Sequence, residues 1–254
     1  MLLLFIAYAL ALSAALGLRG YRAKPAMSAG TATPAGTAGT AQRISRVLIV
    51  GATGGTGRQL VAQALERGYH VTALVRDPSK LAADHPRLAV MRGDVLDPES
   101  VGAAMRGQEA VVSALGHKRF FYPTRILSQG TANLLDAMTA HGVRRFVCET
   151  TLGIGSSAGR MGLYYTLFII PVILPFYFSD KTRQERRIAA SRADWVIVRP
   201  GMLTNGAKRG RYRVGSGVGS FLLTVRISRA DVAAFMLDQL ERDALLGTAV
   251  SVAW

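Results

Sequence analysis

The stretch VLIVGATGGTGRQL, residues 47–60, decides the fold. It sets Gly51, Gly54 and Gly57 at three-residue spacing between a short apolar run and a segment whose apolar residues recur at helical intervals. Glycine permits the positive φ of a tight turn and lets backbone N–H groups approach a ligand closely, and a helix N-terminus adds its positive dipole end. Strand, glycine turn and helix in that order, at the head of a βαβ unit, form the arrangement that cradles the diphosphate of a dinucleotide. An ordinary strand-to-helix turn is the plainer reading of the same glycines.

The pattern continues outward from this turn. RVLIV, HVTALVR, RLAVMRGDV, EAVVSAL, RRFVCETT and DWVIVRP read as strands, and helical stretches such as TRILSQGTANLLDAMTAHG separate most of them. Such alternation predicts an α/β, Rossmann-type doubly wound parallel sheet in a single domain over residues 43–254, with ligands bound beyond the carboxyl ends of the strands. The second strand ends in Arg76 rather than in the acidic residue that would hold a ribose 2′-hydroxyl. A guanidinium there pairs with a 2′-phosphate, so NADP(H) is preferred over NAD(H). Asp77, next in the chain, is an acidic neighbour able to accept from a ribose hydroxyl instead.

Composition narrows the remaining classes. The single cysteine, Cys148, excludes a disulfide framework, and it sits in a strand-like run as a small buried hydrophobe. No metal site is expected, because His70, His85, His117 and His141 are scattered without ligand spacing. TLGIG is not the nucleophile elbow of a hydrolase. The formal charge of +15 suits an anionic partner, whether cofactor phosphate, acidic lipid surface or nucleic acid. No basic stretch is interleaved with aromatics, so no nucleic acid is expected.

Residues 1–22 read as a hydrophobic membrane anchor or signal-like segment, and residues 23–42, rich in Ala, Gly, Thr and Pro, as a flexible linker. The first 18 residues would span about 27 Å as a helix. Positive charge follows at Arg19, Arg22 and Lys24, which places the domain on the cytoplasmic face of the inner or plasma membrane. A cleaved signal is one alternative. Translation from Met27, leaving a cytoplasmic protein, is another.

GATGGTG, VTALVRDPSKL, GDVLDPESV, GQEAVVSALG, ANLLDAMTAHGVRRFV and DWVIVRPGML together resemble the atypical short-chain dehydrogenase/reductases, the NmrA-like and biliverdin/flavin reductase B-like NAD(P)-binding group. The resemblance implies that Gly51, Thr53, Gly54, Gly55, Thr56 and Gly57 meet the cofactor diphosphate. It implies further that Asp94 and Val95 line the adenine, that Ala114, Leu115 and Gly116 line the cofactor after the fourth strand, and that Lys118 lies near its phosphates. Pro200, Gly201 and Met202 pass the nicotinamide. Members of the wider family use a Tyr and a Lys one helical turn apart with a Ser or Thr after the fifth strand. Tyr177, Lys181 and Thr151 match those places, and Glu185 follows at the same interval. Lys181 also has a cofactor-holding role in that pattern. An amphipathic aromatic at a loop or membrane boundary is the other reading of Tyr177.

The implied function is an NAD(P)H-dependent reductase of a carbonyl, quinone or flavin-like acceptor, associated with a membrane surface. A non-catalytic NADP(H)-binding redox sensor or membrane-complex assembly factor is the alternative. Residues 161–178, MGLYYTLFIIPVILPFYF, read as an apolar lid that either closes on a small, hydrophobic substrate or dips into the membrane interface, or as a core helix or dimer interface. Lys208, Arg209, Arg211 and Arg213 form a basic cluster near the same end of the sheet.

Overall fold

The computed structural model describes residues 44–81 and 84–254, so the expected anchor and linker lie outside the described residues. All six apolar runs quoted above are strands: β1 Arg46–Val50, β2 His70–Val75, β3 Leu88–Arg92, β4 Ala110–Ser113, β5 Arg145–Glu149 and β6 Asp194–Pro200. Four more follow: β7 Met202–Thr204, β8 Arg213–Gly215, β9 Arg226–Ser228 and β10 Thr248–Ala253. The helices are α1 Gly55–Glu66, α2 Pro98–Met105, α3 Ile126–Ala140, α4 Pro175–Ala190 and α5 Arg229–Asp238. The main sheet runs β3-β2-β1-β4-β5-β6-β10-β8, with β7 and β9 paired separately. Neighbours in the main sheet are parallel except β8, which closes the edge antiparallel to β10.

Alternation along β1 shows why the sheet is doubly wound. Val47 and Ile49 face α1 and α5, joining Leu60, Val61, Ala64, Val232 and Met236 in one apolar layer. Leu48 and Val50 face the opposite layer, built on Val101, Leu134, Met138 and Ile188 from α2, α3 and α4. With a period of two and both faces covered, every residue of β4 is buried. Each large aliphatic side chain so buried contributes about 1.5–3 kcal/mol of transfer free energy.

From β1 the chain builds outward through β2 and β3, then crosses to β4 on the other side. The connections that leave β1 and β4 therefore part to opposite faces of the sheet and open a crevice at the strand ends, the place where open α/β sheets bind ligands. Val50 pairs with Ser113 in register, and Ala114 N–H donates to the Val50 carbonyl at 2.9 Å. Among the described residues no helix is long and apolar enough to cross a membrane.

Candidate functional site

The glycine turn lies at the β1/β4 crevice and leaves no room for side chains. Gly51 has φ +81°, and a Cβ on it would stand 2.4 Å from the Ala114 carbonyl oxygen; one on Gly57 would stand 2.0 Å from the Gly51 carbonyl oxygen. Gly54 N–H donates to that same oxygen at 2.9 Å, closing the turn. Gly54 caps α1 without any side-chain acceptor, and the first turn carries no acidic residue. Gly54 and Gly55 are exposed, so the start of the helix, whose first-turn N–H groups have no partner within a helix, is open to an anionic ligand. This cradle fits a dinucleotide diphosphate. Thr53 is half-buried beside it. Thr56 turns inward, its hydroxyl donating to Glu149 Oε1 at 3.0 Å, so only its backbone is available at the turn.

At the tip of β2, Arg76 is exposed, and among the described residues no hydrogen bond or ion pair engages its guanidinium. Asp77 is occupied. It accepts from Ser79 Oγ at 2.6 Å and from Ser79 N–H at 3.2 Å, and it pairs with Lys80. These donors, the serine hydroxyl first, hold its carboxyl below the usual carboxylate range.

Two guanidinium groups absent from the sequence reading also stand here. Arg58 donates to the Thr53 carbonyl at 3.2 Å and to the Lys80 carbonyl at 2.8 Å, tying the glycine turn to the loop after β2. Its position directly after Gly57 was the available signal. Arg229, at the start of α5, lies against Gly55, where an added Cβ would meet its Cδ and Nε at 2.5 Å. Arg229 Nη1 donates to Asn205 Oδ1 at 2.7 Å. Nothing local in the sequence marks Arg229, because the packing of α5 on α1 brings it there.

The remaining cofactor candidates lie along the carboxyl rim. Asp94 Oδ1 accepts from Leu96 N–H at 3.0 Å, and the carbonyl of buried Val95 accepts from Asn133 Nδ2 at 2.8 Å. Ala114, Leu115 and Gly116 continue from β4 over the crevice, and Lys118 is exposed in the loop beyond. Pro200 and Gly201 are buried, and Met202 Sδ accepts from the Tyr165 hydroxyl at 3.1 Å.

α4 supplies the chemical groups. Pro175 opens it at a position that needs no N–H donor, which puts Tyr177 in the first turn. A Cβ on Gly116 would stand 3.7 Å from the Tyr177 hydroxyl oxygen, so that hydroxyl sits over the β4 loop. Its ring packs edge-on against His117 and Phe120, with centroids at 5.0 and 5.8 Å. Lys181, one turn further on, is 1 % exposed; its Nζ donates to the Leu115 carbonyl at 2.9 Å and the Glu149 carbonyl at 3.0 Å, and lies 5.9 Å from the Tyr177 ring centroid. The neighbouring Asp180 is fully buried and caps α3, accepting from the Leu127 and Ser128 N–H groups.

His117 is half-buried. Its Nδ1 accepts from Arg119 N–H and its Nε2 faces the Thr124 hydroxyl at 3.0 Å. Burial lowers its pKa, with Lys181 and Arg119 adding to the effect and Asp180 opposing it. Thr151 is half-buried, its hydroxyl bonded to the Leu152 carbonyl at 3.1 Å. The preceding Thr150 bonds Glu185, which forms a two-bond ion pair with Arg199 inside the protein. Glu185 is therefore part of the support for β6 rather than of the crevice.

Within the apolar insert, Tyr165–Ile173 is a π-helical segment with Pro171 inside it, and none of its residues is buried. Its wide turn is visible in the bond from Leu174 N–H to the Ile169 carbonyl at 3.0 Å. The basic loop is pinned at Arg209, whose guanidinium stacks 3.6 Å over Trp254 and whose N–H donates to Asp231.

A family model described as NAD(P)H-binding matches residues 51–243. The chain belongs to this NAD(P)H-binding family. An uncharacterized chloroplastic protein of Arabidopsis thaliana is 34 % identical over 168 residues, covering 61 % of this chain and 58 % of its own length. The photosystem II assembly factor Ycf39 of Synechocystis is 33 % identical over 100 residues, 38 % of this chain and 31 % of that protein. The chain spans less than two thirds of the length of these relatives. A short-chain dehydrogenase/reductase of Veillonella parvula, solved with NADP, superposes with a TM-score of 0.71 at 19 % identity, covering 84 % of this chain and 95 % of that one; the fold is shared.

Proposed function

We propose that the protein is an NADPH-dependent reductase of a hydrophobic carbonyl, quinone or flavin-like acceptor, acting at a membrane surface. The observation that carries this reading is the placing of the Tyr177 hydroxyl over Gly116, one helical turn from the Lys181 ammonium, at the crevice the glycine turn opens. The bound nucleotide supplies hydride. The glycine turn and the N-terminus of α1 hold its diphosphate, Arg58 and Arg229 add positive charge at that turn, and exposed Arg76 meets the 2′-phosphate. Tyr177 gives a proton to the acceptor oxygen as that atom gains charge, and Lys181 keeps a positive charge beside the tyrosine. Phe120 and the π-helical segment offer apolar surface to the acceptor. Support for the membrane setting comes from the apolar residues 1–18 and the charge of +15.

The test is NADPH oxidation by the full chain against a panel of quinones, flavins and aldehydes. Turnover with any member is the expected result. NADPH binding without turnover across the panel favours the second reading, a non-catalytic NADP(H)-binding sensor or assembly factor. That reading draws on the assembly factor among the relatives and on the engagement of Lys181 with two backbone carbonyls.

A further inference from the structure

Large apolar side chains are unusually exposed at the carboxyl rim of the sheet. Phe221, Leu222 and Leu223 are 60, 69 and 73 % exposed, and Tyr164, Phe168 and Val172 of the apolar insert, with Phe121 and Tyr122 after β4, are exposed as well. The first two groups form one surface. Gly162 N–H donates to the Ser220 carbonyl at 2.8 Å, Leu163 N–H to the Leu222 carbonyl at 3.3 Å, and Met161 bridges to Ser220 in a parallel pair. Gly162 has φ +90°, and a Cβ there would strike the Thr224 N–H at 2.7 Å, so the two segments are held together by close backbone contact. The third group belongs to the loop whose Phe120 packs on Tyr177, beside the crevice. Exposed apolar surface on this scale marks an interaction site.

Charge identifies the partner. The chain has 16 acidic residues, yet the three segments that carry this surface, 110–135, 150–179 and 195–230, contain no Asp or Glu and eight exposed Lys or Arg, leaving aside Arg199, buried against Glu185, and Arg229 at the glycine turn. Lys118, Arg119, Arg125 and Arg226 are exposed among them. Exposed apolar side chains and exposed cations carried by the same segments, with Tyr122 and Tyr164 among them, match an anionic lipid surface: the apolar side chains enter the acyl boundary and the cations meet the headgroups. A self-complementary protein interface would instead set these exposed cations against those of a second copy.

We infer that the collar formed by the π-helical segment, the 221–223 loop and the 120–122 loop docks on an anionic bilayer, so that the crevice opens toward the lipid. This rests on the membrane setting proposed above, not on catalysis, and it names the face that meets the bilayer.

The test uses the full chain carrying Leu222→Cys, labelled with an environment-sensitive fluorophore. Cys148 is fully buried and burial pushes its thiol up to about 12, so the label goes to position 222. Arg106→Cys, on the exposed end of α2, is the control position. Vesicles containing phosphatidylglycerol are expected to shift the emission at position 222 to the blue and raise it severalfold while leaving position 106 unchanged. Neutral phosphatidylcholine vesicles should do less. Emission at 222 that stays water-like on protein co-sedimenting with anionic vesicles overturns the proposal, as does a blue shift that grows with protein concentration in the absence of lipid, which would place a second copy on the collar. NADPH affinity of the labelled protein, read separately by calorimetry, reports on the cofactor assignment and leaves the two conclusions distinguishable.

Discussion

Around β1 and β4 the backbone folds so tightly on itself that Gly51 and Gly57 have no space for a methyl group, whereas beyond β6 the chain leaves Phe221, Leu222 and Leu223 mostly in solvent. The first region is made of main-chain geometry and helix-end donors. The second is made of side chains on loops. A diphosphate is the same in every dinucleotide and can be met by N–H groups alone, while an acceptor or a lipid surface has to be met by particular side chains. The contrast separates what every nucleotide needs from what this chain adds.

The sharpest way to break it is Gly57→Val, which drives a branched side chain into the Gly51 carbonyl. Dinucleotide affinity by calorimetry is expected to fall more than 100-fold, with a lowered Tm by calorimetric scan; unchanged affinity would mean the cradle is not built from backbone. On the other side of the crevice, Tyr177→Phe is expected to reduce kcat by about 100-fold or more, as loss of a positioned general acid does, with NADPH affinity held. Stopped-flow NADPH oxidation measures the first and fluorescence titration the second. Equal turnover would remove the tyrosine hydroxyl from the chemistry.

Arg76→Ala sharpens the comparison at the cradle's far tip. Affinity for NADPH should drop about 10- to 50-fold, the scale of one charge-assisted pair, while NADH affinity changes little. Parallel losses for both nucleotides would place the 2′-phosphate elsewhere, with Arg58 the next candidate.

The smallest effect concerns Glu149, at the end of β5, whose carboxylate accepts from Thr56 of the glycine turn and whose carbonyl accepts from Lys181. Burial pushes its carboxyl above the ordinary value, with the Lys181 ammonium and then the Thr56 hydroxyl holding it back in part. A carboxyl raised in the folded state binds its proton more tightly there than in the unfolded chain. Its favourable contribution is therefore complete below about pH 4.3 and is lost as pH rises through the folded-state pKa. Glu149→Gln should consequently gain Tm over the parent at pH 8 and show little difference at pH 4, by thermal denaturation followed at both pH values.

The fold and half of the site were legible for the same reason. β1 to β6 each carry a local apolar pattern, and Gly51 to Gly57 carry a local turn, so a reading along the chain finds them. β7, β8 and β9 have three residues each, too few for any periodicity to register. Arg229 reaches Gly55 only through the packing of α5 on α1. Thr56 meets Glu149 across the sheet, and His117 meets Tyr177 from another loop. Such contacts join residues far apart in sequence and leave no trace in local spacing. The insert at 161–178 showed its apolar character but not its geometry, because a π-helical turn with an internal proline has no periodic signature of its own.

Asp180 and Lys181 are consecutive in α4, carry opposite charges and are both sunk in the interior, one holding the start of α3 and the other the ends of β4 and β5. Rotating or sliding α4 would strip both ions of their partners at once, so the helix behaves as a fixed post.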